Sequence, residues 1–118
     1  MPHDGQDPQM QQTLIPDVLS LTAAALEPVD QLLDAARTEV RAQVSEDGRV
    51  SGKLAEAHQT AAHGLAWLAT YAYSLRQMHR WASDLQANGK FGEMEQLLLQ
   101  IGFGEYLWQI YGGIQMNQ

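Results

Sequence analysis

The feature that most constrains the fold is a proline-free segment, residues 52–87, with a regular apolar pattern. Its core positions alternate in steps of four and three, which is typical of the seam of a helical bundle. These positions are Leu54, His58, Ala61, Leu65, Leu68, Ala72, Leu75, His79 and Ala82. Asn88-Gly89 predicts the end of this helix, because glycine readily adopts the left-handed backbone conformation that terminates helices. The segment therefore predicts one long helix.

Two shorter helices are predicted before it. Residues 14–27 have apolar positions at helical spacing, and Pro28 is expected to end or kink that helix. Residues 29–44 continue with one apolar stripe. Asp47-Gly48 predicts a turn and Ser51 a helix cap. Residues 1–13 are polar and predict a flexible acidic tail. Residues 14–118 thus predict one all-α, antiparallel bundle of three to four helices.

The last predicted helix, residues 91–111, is unusually apolar. Between Gln96 and Gln118 the only charged residue is Glu105, yet Gln100, Glu105 and Gln109 interrupt the pattern too often for a membrane span. An apolar helix of this kind packs on more than one side. We therefore expect the chain to continue, to oligomerise or to dock on another domain. The predicted docking surface comprises Trp67, Tyr71, Trp81, Leu98, Ile101, Trp108 and Ile110.

Composition excludes several classes of function. The chain has no cysteine, so disulfides and thiolate chemistry are absent. Its net charge is −7, and an acidic chain without a basic stripe repels nucleic acid. The first residues lack the basic and apolar regions of a secretory signal. We expect a cytoplasmic protein without a nucleic-acid or membrane partner.

The histidines do not form a metal site by spacing. His58 and His63 are five residues apart, about 140° around a helix, so they cannot hold one ion from one face. Ala62-His63-Gly64-Leu65 matches half of a histidine phosphotransfer motif. However, Ala66 stands where a lysine would pair with the phosphoryl group, and the bulky Trp67 follows. The default interpretation is that His58 and His79 are seam residues with a hydrogen-bond partner. We expect no catalytic, cofactor-binding or metal-binding residue in this chain.

Residues 61–82, AAHGLAWLATYAYSLRQMHRWA, and the segment from Gly89 to Gln118 resemble the N-terminal helical extension of the (2S)-methylsuccinyl-CoA dehydrogenases. These are flavin-dependent acyl-CoA dehydrogenases of the bacterial ethylmalonyl-CoA pathway. The resemblance covers most of the chain from about Leu14. It implies a parent enzyme that binds FAD and oxidises an acyl-CoA to its enoyl-CoA, with the flavin site and the catalytic base beyond Gln118.

Three functions remain open from the sequence. The first is a non-catalytic docking or cover domain on such an enzyme, with the rest of the enzyme as its partner. The second is a stand-alone helical bundle that binds a second copy of the chain, giving a homo-oligomer. The third is a degenerate histidine phosphotransfer domain.

Overall fold

The computed structural model describes residues 14–112, and they form an all-α bundle. Three long helices, α1 (Val18–Val44), α3 (Gln59–Ala87) and α4 (Glu93–Tyr111), pack against one another, and a short helix α2 (Gly52–Ala57) precedes α3. α1 and α3 are antiparallel, as are α3 and α4. The predicted fold class is confirmed. The predicted tail, residues 1–13, lies outside the described residues.

Helix α1 corrects one of the two outcomes expected at Pro28, an end or a kink of the first helix: the helix does not end there, because α1 runs through it. A proline inside a helix leaves the carbonyl four residues earlier without its donor. That residue is Ala24, and both Ala24 and Pro28 are exposed, so water can reach the freed carbonyl. The next residue, Val29, is completely buried. Burial of the surrounding apolar stripe therefore offsets the cost of the missing hydrogen bond.

The predicted single helix over residues 52–87 is wrong at one position, because the backbone leaves helical geometry at His58 (φ −114°, ψ 36°). The break separates α3 from α2, which lies against α1. Ser51 caps α2 as predicted, with its Oγ accepting a hydrogen bond from the Leu54 amide at 3.3 Å. His58 therefore joins two helices and is not a residue of one continuous seam.

The seam itself is confirmed in α3. Leu68, Ala72, Leu75 and Ala82 are buried against α1 and α4. His79 is half-buried, and its Nε2–H donates a hydrogen bond to the Leu19 carbonyl at 3.1 Å. This bond gives the ring nitrogen a partner and connects α3 to α1.

The predicted turn at Asp47-Gly48 joins two very short strands, β1 (Ser45–Glu46) and β2 (Arg49–Val50), in an antiparallel hairpin. Both turn residues have positive φ, 52° and 77°, as a tight two-residue hairpin turn requires. The hairpin reverses the chain between α1 and α2. The second predicted stop is also confirmed, since α3 ends at Ala87 and Gly89 has φ 68°.

Gly102 and Gly64 occupy different surroundings within their helices. A Cβ at Gly102 would overlap the sulfur of Met78, so the glycine allows α4 to approach α3 closely. A Cβ at Gly64 meets nothing within 4 Å. Gly64 thus carries the entropic cost of a helical glycine without a packing reason.

We expect Gly64→Ala to raise the free energy of unfolding by roughly 0.5–1 kcal/mol, because alanine has the higher helix propensity and the site has room. Urea denaturation followed by circular dichroism measures the change. Gly102→Ala is the control and should gain less, since Met78 must move. Equal gains at both positions would contradict this account of Gly102.

Candidate docking surface

The outer face of α4 carries a row of apolar side chains that no other helix within residues 14–112 covers. Met94, Leu98, Ile101 and Trp108 follow one another along this face, and their exposed fractions are 52%, 51%, 58% and 74%. Steps of four and three place them on one side of the helix. We call these four residues, with Glu105 between Ile101 and Trp108, the α4 stripe. Residues that pack one helix against another have this same spacing.

The opposite face of α4 forms the bundle core. Leu99, Phe103 and Ile110 are buried there. Tyr106 stacks on Tyr71 of α3, with ring centroids 5.2 Å apart. Helix α4 is therefore apolar on two opposite sides, and the bundle uses one of them.

Ile110 corrects the predicted docking surface. It is 7% exposed and belongs to the core. It lies two positions after Trp108, which turns it about 200° around the helix from that ring. The prediction included both residues because the whole helix is apolar, and the structure places them on opposite faces.

The α4 stripe borders an apolar groove between α4 and the start of α1. The groove has a volume of about 180 Å³. Gly104 forms part of its α4 wall, and the partly exposed Ile15 and Leu21 form part of its α1 wall. The Ile15 amide donates to Gln100 Oε1 at 2.7 Å and holds the two walls together. The uncovered apolar surface thus extends from α4 onto α1.

The predicted surface residues of α3 lie beside α4. The exposed fractions of Trp67 and Trp81 are 42% and 41%. Tyr71 is half-buried, because it stacks between Trp67 and Tyr106. Trp67 and Trp81 are therefore accessible, whereas most of Tyr71 serves the contact between α3 and α4.

His63 is exposed, but its ring already has a partner within α3. The indole Nε1–H of Trp67 donates to His63 Nε2 at 2.9 Å. The bond requires an unprotonated Nε2, the atom that would otherwise be open to a phosphoryl donor. The geometry therefore adds to the missing lysine as an argument against phosphotransfer. Within residues 14–112, no three histidine or acidic side chains are grouped so that they could hold a metal ion.

A second groove, of about 600 Å³, lies between α1 and α3. Asp30 pairs with Arg76 across it, and Asp34 pairs with Arg37 at 3.1 Å. Both arginines are thus neutralised by carboxylates, which would repel the pyrophosphate of a dinucleotide. This groove therefore does not fit the pyrophosphate of FAD. No helix within the described part is long and apolar enough to cross a membrane.

Sequence reasoning missed part of the surface. Five exposed residues were not predicted as part of it. They are Met94, Gly104 and Tyr111 on α4, Leu21 on α1, and Ile15, which precedes α1. A second four-three repeat in α4, offset from the core repeat, is the signal that identifies Met94. The α1 residues could not be found this way, because the groove depends on how the two helices pack.

No family profile matches the sequence. A comparison with curated proteins matches (2S)-methylsuccinyl-CoA dehydrogenase from Cereibacter sphaeroides, with 54% identity over 107 residues. The match covers 91% of this chain but only 20% of that enzyme, so the chain spans about a fifth of its relative's length. The predicted resemblance to the (2S)-methylsuccinyl-CoA dehydrogenases is therefore confirmed, over about a fifth of that enzyme's length.

Proposed function

We propose that this chain is a non-catalytic docking domain of an FAD-dependent acyl-CoA dehydrogenase that oxidises (2S)-methylsuccinyl-CoA or a close analogue to its enoyl-CoA. The flavin and the catalytic base belong to the remaining part of that enzyme. The bundle presented here packs on that part through the α4 stripe. The proposed setting is the cytoplasm of a bacterium.

The observation that carries this proposal is the match of nearly the whole chain to one fifth of a larger enzyme. The α4 stripe supports it physically. Its four apolar side chains leave on the order of 500 Å² uncovered, which matches the largest apolar patch of a typical monomer, a patch that often has a function. A surface of that size and spacing is suited to a contact with another helix.

The test is a chimera of the Cereibacter sphaeroides enzyme in which the matching segment is replaced by this chain. We expect the chimera to retain flavin, to oxidise (2S)-methylsuccinyl-CoA and to melt in one cooperative transition, because the bundle is packed on the catalytic part. Differential scanning calorimetry measures the melting, and the visible flavin spectrum measures the flavin content and its reduction by (2S)-methylsuccinyl-CoA. The control carries an unrelated three-helix bundle of similar length and should melt at a lower temperature.

Two results would contradict the proposal. One is a chimera whose bundle unfolds in a separate transition, independent of the flavin-containing part. The other is an unrelated bundle that supports the same melting temperature and flavin content as this chain.

A further inference from the structure

Glu105 is the one charged residue of the α4 stripe. Its position is four residues after Ile101 and three before Trp108, so it continues the step of the apolar residues around it. The carboxylate is exposed, and no ion pair joins it to another described residue. In the isolated chain, water solvates this charge.

A partner that covers the stripe must also cover Glu105. A carboxylate removed from water without a compensating group is strongly unfavourable, whereas one that meets a cation with good geometry is tolerated. A single polar residue in an apolar seam also fixes the register and the identity of the partner. The chemistry of the occupant is therefore restricted by this one residue.

A second copy of the chain does not meet this requirement. Helix α4 contains no lysine, arginine or histidine. When two stripes pair, Glu105 therefore meets no cationic side chain of the other copy's α4. The net charge of −7 on each copy adds further repulsion.

We propose that the α4 stripe receives an amphipathic helix of the catalytic part of the enzyme, which presents an apolar seam and one lysine or arginine opposite Glu105. This inference rests on the proposed function and names the chemistry of the docking partner. The apolar residues supply the contact area, and the ion pair at Glu105 selects the partner and disfavours self-pairing.

The first test uses full chains and supplies the missing cation. A 1:1 mixture of the wild-type chain and a Glu105→Lys chain should associate at least about tenfold more tightly than either chain alone, because each contact then pairs a carboxylate with an ammonium group. Sedimentation velocity at low salt measures the association. The matched control replaces Glu105→Lys by Glu56→Lys, which changes an exposed glutamate on α2. Wild-type chains that dimerise as tightly as the mixture, or an equal gain with the control, would overturn the inference.

The second test uses the chimeric enzyme and separates this inference from the proposed function. Glu105→Gln should lower the melting temperature of the assembled chimera by several degrees, whereas Glu56→Gln should not, and neither should change the melting of the isolated chain. An assembled chimera that tolerates both changes equally would overturn the cation requirement and leave the docking role intact. A chimera that never assembles would count against the docking role itself, and the mixing experiment would still decide the chemistry of the stripe.

Discussion

Replacing Leu75 by alanine should lower the free energy of unfolding of this chain by about 3 kcal/mol, a large fraction of the stability of a domain of this size. Leu75 is completely buried in the core cluster that α3 shares with α1 and α4. The substitution removes its branched side chain from the middle of that cluster, so the loss combines burial with a cavity.

Urea denaturation followed by circular dichroism measures this loss, and Leu98→Ala is the matched control. Leu98 is half exposed on the α4 stripe, so the same chemical change should cost less than about 0.5 kcal/mol in the isolated chain. If Leu98→Ala proved as costly as Leu75→Ala, the outer face of α4 would already be covered within the chain.

The seam in α3 could be predicted because the cause of its pattern is local. A helix that packs on neighbours must repeat its apolar residues at the helical period, and Leu68, Ala72, Leu75 and Ala82 do so. The turns at Gly48 and Gly89 follow equally local rules, since both positions require positive φ. These elements would be identified in the same way in any bundle.

Two helix boundaries depended on packing and were therefore not predicted correctly. Pro28 was expected to end or kink a helix, but Val29 beside it is buried and α1 continues through the proline. His58 was expected inside a helix, but α2 packs on α1 separately from α3. In both places a contact between distant segments overrides the local preference of the sequence.

The candidate docking surface was also predicted only in part from the sequence. Hydropathy alone indicated that α4 packs on two sides, and Leu98, Ile101 and Trp108 are exposed in the structure. It did not show which of the predicted residues the core buries, so Ile110 was included in the docking surface. It also treated Glu105 as an interruption of an apolar helix. Only the position of the core face shows that this glutamate belongs to the uncovered stripe.

Trp108→Glu should separate docking from folding more clearly than any other single change. The ring is 74% exposed, the highest value among the exposed large apolar side chains of the described residues. We expect the isolated chain to unfold with a free energy within about 0.5 kcal/mol of wild type, because little of the ring contacts the bundle.

The same change should weaken association through the stripe about 100-fold, since a large aromatic ring in an interface often dominates its binding energy. The mixture of wild-type and Glu105→Lys chains provides the measurement, with Trp108→Glu introduced into the wild-type partner. Tyr73→Glu is the matched control, because Tyr73 is a 65% exposed ring that lines the polar groove between α1 and α3. Equal losses from the two variants would assign the effect to added negative charge alone. A large loss at Trp108 with none at Tyr73 identifies the outer face of α4 as the surface through which this bundle meets its partner.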